Sequence, residues 1–187
     1  MECAGAGDCA SDATFMPRYK ALADKLTASL GSLVTSIKAR ATNAIIVVMG
    51  YPELMSRTRA CIAAGLFNLN EQKALGDLSK YVNGRQAAAV QGVQRVSYAD
   101  PVATFSNHGT CDNDEWINVI VAGPNGNGDF HNGDFPDSVG NKPSACMWDV
   151  AGGACLSRES FHPKTAGTTG YAKVMEHKLR DIGYGAI

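Results

Sequence analysis

Asn43-Ala44-Ile45-Ile46-Val47-Val48-Met49-Gly50-Tyr51-Pro52 is the stretch on which the fold turns. Residues 44–50 are an unbroken apolar run rich in β-branched side chains, closed by glycine and proline. Such a run marks a strand buried on both faces, as strands of a parallel sheet are. On its N-terminal side, residues 15–40 carry Tyr19, Leu22, Leu26, Leu30, Leu33, Val34 and Ile37 at helical spacing. That spacing predicts a long amphipathic helix, with Pro17 tolerated in the first turn. On its C-terminal side, residues 54–69 read as a mixed connection. Residues 70–91 are helical by composition, weakened by Gly76 and by Asn83-Gly84. Residues 93–98 alternate enough to form a second strand, which stops at Asp100-Pro101. Strand, helix, strand and helix in succession imply βαβ units, hence an α/β fold with a parallel sheet.

A length of 187 residues suits one domain, residues 1–187, with a sizeable core. A formal charge of -1 and a pI near 6.4 give no electrostatic footprint for nucleic acid or an anionic membrane. No apolar run reaches the length of a bilayer, which argues against stable membrane insertion. The N-terminal residues Met1-Glu2-Cys3-Ala4-Gly5 offer neither the basic start nor the apolar core of a signal peptide. Six cysteines, an even number, fit an oxidised secreted protein better than a cytosolic one. Structural zinc wants Cys-x-x-Cys pairs, and the chain has none.

Residues 106–160 read as one very long loop region. Within it Asn125, Asn127 and Asp129 alternate as the oxygen ligands of calcium loops do. No glycine follows Asp129 and no glutamate closes the loop, so that template fails, and a solvated loop without metal is expected. His131 is read as a surface residue, and His177, on the last helix, as solvent-facing.

Near the C-terminus stands Ser157-Arg158-Glu159-Ser160-Phe161-His162-Pro163-Lys164-Thr165-Ala166-Gly167. Pro163 cannot donate a backbone hydrogen bond and biases His162 towards an extended conformation. Thr165 or Thr168 is expected to cap the helix that follows. His162 then sits on a stiff turn within reach of Glu159, the arrangement of a general base with an orienting carboxylate. The same spacing also fits a capped helix with an incidental histidine.

This block, continued by Tyr171-Ala172, resembles the last motif of the SGNH/GDSL hydrolases, serine esterases and lipases that carry a Ser-His-Asp triad. Glu159 stands where that family has Asp, so the matched catalytic pair is Glu159 and His162. Asn43 through Pro52, then Val96-Ser97-Tyr98-Ala99-Asp100, then Phe105-Ser106-Asn107-His108-Gly109-Thr110-Cys111 with Trp116-Ile117, resemble further blocks of secreted bacterial members, in the same order. The resemblance implies a three-layer α/β/α parallel sheet of flavodoxin-like type. It also implies a secreted bacterial carboxylic-ester hydrolase, esterase or lipase, acting on a small ester or lipid without a cofactor. The family's Gly-Asp-Ser-Leu block, with the nucleophilic serine, and its Gly-x-Asn-Asp block would precede the matched segments, and neither is present. The chain is therefore expected to be truncated at its N-terminal side, with nucleophile and oxyanion donors unassigned. Gly76-Asp77-Leu78-Ser79 looks like the nucleophile block but lies out of order and inside a helix. Ser56, Ser157 and Ser160 are candidate substitutes without a strand–turn setting. Phe105, His108 and Trp116 either wall an acyl pocket or pack the core, and Asp100 either meets a ligand or starts the turn at Pro101. The alternative function is an inactive remnant or binding module on the same scaffold.

Spacing lets Cys3 pair with Cys9 and Cys146 with Cys155, which leaves Cys61 for Cys111, and the resemblance agrees. A parallel sheet of two strands leaves two apolar edges. An extra strand from the loops is expected to cover one, or else a second subunit in a homodimer that also buries the apolar face of the helix over residues 15–40.

Overall fold

The computed structural model of the protein describes residues 8–60, 67–123, 148–150, 154–157 and 159–184. Its centre is a parallel pair, β1 (Ile46–Met49) and β2 (Val96–Ala99), aligned so that Ile46 faces Val96 and Met49 faces Ala99. Gly50 N extends the ladder by donating to Ala99 O at 2.9 Å. The crossover between the strands contains α2 (Leu69–Val90), and α1 (Phe15–Arg40) precedes β1. The last helix, α3 (Thr165–Asp181), follows the His162 turn. Helices α2 and α3 both pack on β2, while α1 packs on α2. The chain is thus an α/β fold with a small parallel sheet.

The bounds of α1 coincide with the expected 15–40, and Lys38 and Arg40 in its last turn complement the helix dipole. Helix α2 starts with a full capping box: Asn68 Oδ1 accepts from Asn70 N and Glu71 N, while Glu71 Oε2 accepts from Asn68 N at 2.7 Å. Glu71 is buried, and its other oxygen accepts from Cys9 N at 3.1 Å. That bond ties the start of the described chain to a core of Cys9, Phe15, Met55 and Phe67.

Three expectations need correction. The run over residues 44–50 is not buried on both faces: β1 is shorter and its four residues are half-buried. With only β2 beside it among the described residues, β1 has too few neighbours to bury it. Residues 106–160 are not all loop, because β3 (Ala122–Gly123), β4 (Trp148–Val150) and β5 (Ala154–Leu156) form an antiparallel sheet in the order β3-β5-β4. These loop strands pair with one another instead of covering β1 or β2. Neither Thr165 nor Thr168 caps α3: Lys164 holds the N-cap position without a side-chain bond, and Thr168 Oγ1 turns back to Thr165 O at 2.8 Å. Within the single chain the apolar stripe of α1 is mostly solvent-facing, as Leu22, Leu26, Leu33 and Ile37 are exposed while Phe15, Ala23 and Val34 are buried.

Cys9 and Cys111 are each disulfide-bonded. The other four cysteines and the Asn125-Asn127-Asp129 and His131 positions lie outside the residues whose side chains are described. Among the described residues no helix is long and apolar enough to cross a membrane.

Candidate active site

Phe161 turns the chain into the site. Its φ of 59° is left-handed, a conformation that costs a bulky side chain of order 1–2 kcal/mol. Packing holds it there: the Phe161 ring meets Phe67 edge-on at 5.9 Å and joins Leu54, Leu75 and Met55 at the edge of the core. The next residue, His162, is consequently thrown outwards and is exposed.

The turn is fastened from three sides. Ser160 N donates to Ser157 O at 3.0 Å and His162 N to Glu159 O at 3.1 Å. Asn118 N donates to His162 O at 2.9 Å, and Asn118 Nδ2 donates to Glu159 O at 3.0 Å. Lys164 N donates to Trp116 O at 2.7 Å, with Ile117 bridged antiparallel to Pro163. An ion pair adds to this zipper, since Lys164 Nζ lies 2.9 Å from Glu115 Oε2. Burial works to raise the pKa of Glu115, but Lys164 and the Cys111 N–H outweigh it and hold the carboxylate below its ordinary range.

The His162 ring has its Nδ1 3.2 Å from Ser160 O. A carbonyl only accepts, so Nδ1 carries a proton, and in the neutral ring Nε2 is then the basic nitrogen. That is the tautomer a general base needs. The contact of Nδ1 is therefore main-chain, and Glu159 enters this geometry through its own carbonyl, which accepts from His162 N and Asn118 Nδ2.

The neighbouring serines are structural. Ser157 and Ser160 are 0% and 1% exposed. Ser157 Oγ accepts from Glu159 N at 3.1 Å, and Ser160 Oγ exchanges bonds with both backbone groups of Val121. Ser56 is buried too, its Oγ accepting from Thr58 N and Arg59 N. Ser79 of the Gly76-Asp77-Leu78-Ser79 string lies inside α2 and donates to Pro52 O at 3.0 Å. None of these four presents a hydroxyl to His162.

The aromatic residues Phe105, His108 and Trp116 pack on one another and on α3. Phe105 is buried, edge-on to Trp116 at 5.5 Å and tilted against Tyr171 at 4.8 Å, which makes it core. His108 stacks on Trp116 at 3.8 Å and directs Nδ1 to Asp114 O at 2.9 Å. This cluster seats the segment over residues 105–118 on α3, where a Cβ at Gly167 would lie 2.4 Å from Trp116 O and one at Gly170 2.7 Å from its ring. Asp100 starts the turn, its Oδ1 accepting from Val102 N at 3.0 Å. His177 is exposed and faces Asp181 at 3.2 Å.

Between the exit of β1 and one face of α2 lies an apolar cavity of about 280 Å³, walled by Tyr51, Leu54, Met55, Leu75, Leu78 and Val82. Leu54, Met55 and Leu75 also belong to the cluster that holds Phe161. Sequence reasoning missed this cavity because its walls come from the β1 exit and one face of α2.

No family model matches the chain, and no curated protein matches its sequence. Solved structures do match its shape. Phospholipase A1 from Streptomyces albidoflavus NA297 superposes with a TM-score of 0.63 at 22% identity, over 90% of this chain and 58% of that one. The extracellular lipase from Streptomyces rimosus superposes with a TM-score of 0.61 at 20% identity, over 89% of this chain and 58% of that one. The chain therefore spans less than two thirds of the length of either neighbour. Its fold is the SGNH-hydrolase-like fold that its C-terminal block resembles.

Proposed function

We propose that this chain carries the histidine half of a carboxylic-ester hydrolase, an esterase or lipase of SGNH type, with His162 as general base. The observation that carries the reading is the exposed His162 ring, held by Ser160 O in the tautomer with Nε2 free. In hydrolysis Nε2 takes the proton of the attacking hydroxyl or water and returns it to the departing alkoxide. Ser160 O stabilises the imidazolium formed between those steps, and Glu159 holds the turn. The apolar cavity between the β1 exit and α2 takes the acyl chain of a small ester or lipid in this reading, and no cofactor enters the chemistry.

The disulfide state of Cys9 and Cys111, and the extracellular lipase among the fold neighbours, support action outside the cell. Cys3 with Cys9, Cys61 with Cys111 and Cys146 with Cys155 is the pairing that goes with this reading. Non-reducing peptide mapping that joined Cys9 to Cys111 would rule it out.

A second reading, a binding module that retains the cavity, is favoured by the burial of Ser56, Ser157 and Ser160. A chromogenic short-chain ester assay separates the two. Turnover abolished by His162→Ala supports the hydrolase. Ester binding without turnover, unchanged in that variant, supports the module.

A further inference from the structure

Leu75, Leu78, Ser79 and Val82 recur at i, i+3, i+4 and i+7, so they share one face of α2 and line one side of the 280 Å³ cavity. Tyr51, Leu54 and Met55 from the β1 exit line the other. Exposure falls from Tyr51, at 57%, to Met55, at 6%, which gives the cavity an outer and an inner end. Among the described residues its only polar side chains are Tyr51 and Ser79, and Ser79 Oγ already donates to Pro52 O at 3.0 Å. A polar group carried inwards past Tyr51 would go unpaired among these walls, so the part of a ligand that enters is apolar.

The two walls are tied together. Arg57 Nη2 lies 2.7 Å from Asp77 Oδ1, and Lys80 Nζ lies 2.7 Å from Glu53 Oε1, so both ion pairs cross from the β1 exit to α2. Arg57 Nη1 reaches Glu53 Oε1 at 3.3 Å, which joins them into one clasp. Gly76 makes room for it, since a Cβ there would stand 2.7 Å from Arg57 Nη1. A pocket preformed in this way loses little on binding to the ordering of its walls. The clasp balances two cations against two carboxylates, so it favours neither sign of head group.

We infer that this cavity is a length-limited pocket for one unbranched aliphatic chain of about ten carbons, which enters past Tyr51 with its polar head left in water. Size sets the limit. An apolar cavity of about 150 Å³ takes benzene, so one of 280 Å³ takes nearly twice as many carbons. Shape sets the preference for an unbranched chain: Leu75 to Val82 covers about 10 Å of helix, which makes so small a volume long and narrow. That the chain is the acyl group of an ester rests on the hydrolase reading above; that the cavity holds it does not.

Titration calorimetry of the purified chain with n-alkyl maltosides, from hexyl to tetradecyl and each below its micelle concentration, tests this. Affinity should rise about fourfold per added methylene up to decyl and stay level beyond it, because further carbons remain in water. Leu78→Trp intrudes on the cavity and should move that limit to shorter chains. Val82→Phe, a smaller intrusion from the same face, should move it less, and carries the test if the larger side chain unfolds the protein. No binding at any length overturns the inference, as does affinity that climbs steadily through tetradecyl or a limit unmoved in the folded variants. Ester turnover is measured beside binding. Binding with the expected limit but no turnover leaves the inference standing and removes the hydrolase reading. Turnover whose chain-length profile ignores both variants overturns the inference and leaves the hydrolase.

Discussion

Asn83, in the middle of α2, holds both backbone groups of Tyr51: its Nδ2 donates to Tyr51 O at 2.6 Å and its Oδ1 accepts from Tyr51 N at 2.9 Å. The side chain does for Tyr51 what a neighbouring strand would, just where β1 ends and the chain turns into the wall of the apolar cavity. Asn83 is buried, so its loss strands two backbone groups as well as removing two bonds. Asn83→Ala should therefore cost about 2–3 kcal/mol, lowering the thermal midpoint by about 5–10 °C. Calorimetry of the variant checks this. A change below 1 °C would mean that water replaces the clamp at no cost.

Tyr98 is the opposite case, a buried hydroxyl without a hydrogen-bond partner. Burial, followed by the nearby Asp100 and Tyr171, raises its ionisation far above the usual phenol range. Removing an unsatisfied buried hydroxyl relieves a desolvation cost, so Tyr98→Phe should stabilise the fold by about 1 kcal/mol. The same hydroxyl explains Gly50, where a Cβ would stand 2.0 Å from Tyr98 Oη and 2.9 Å from Cζ. Gly50→Ala should destabilise by several kcal/mol alone and by clearly less in the Tyr98→Phe background. Urea denaturation of the four proteins measures that coupling, and strict additivity would refute the contact.

How much of this was legible beforehand follows from the kind of signal each feature leaves. Periodicity exposed α1, composition exposed α2, and the apolar run with its Gly-Tyr-Pro stop exposed β1. Asn68 with Glu71 three residues on is a capping-box signature, and it was readable although the helix start was placed one residue late. Asn83 was read as a breaker of α2 because propensity knows nothing of a partner 32 residues away. The stripe on α1 shows a further limit: spacing reveals that a face exists but not what covers it. Ser160 O, which orients His162, is a main-chain atom and leaves no residue code at all.

The ion pair of Glu115 with Lys164 gives the His162 turn a pH dependence. A carboxylate whose folded pKa is depressed adds stability that is fully present above its unfolded value, 4.5, and is lost as pH falls through the lower folded value. The pair is partly exposed, so its contribution is about 0.5–1 kcal/mol. Wild type should exceed Glu115→Gln in stability by that amount at pH 7, and the gap should close as the solution is acidified below 4.5. Parallel denaturation curves over that range test the sign. A gap that widened in acid would mean that Glu115 carries its proton in the fold.

Glu159 and His162 were matched as a pair, and the two side chains now predict different outcomes. If the base is oriented by Ser160 O, removing the Glu159 charge leaves Nδ1 and its acceptor in place. Glu159→Gln should then keep ester turnover within about threefold of wild type, since it alters no group that touches the ring. His162→Ala should lose it by two to four orders of magnitude, on the order of 10²–10⁴-fold. Asn118→Ala falls between them: it frees Glu159 O, loosens the turn and should lower kcat more than it raises KM. Thermal denaturation of the same variants distinguishes orientation from folding damage: a loosened His162 lowers kcat with the melting midpoint unchanged, while a destabilised fold lowers both. A Glu159→Gln variant as inactive as His162→Ala would return the orienting role to the carboxylate, and would mean that the Ser160 contact gives way once an ester is bound.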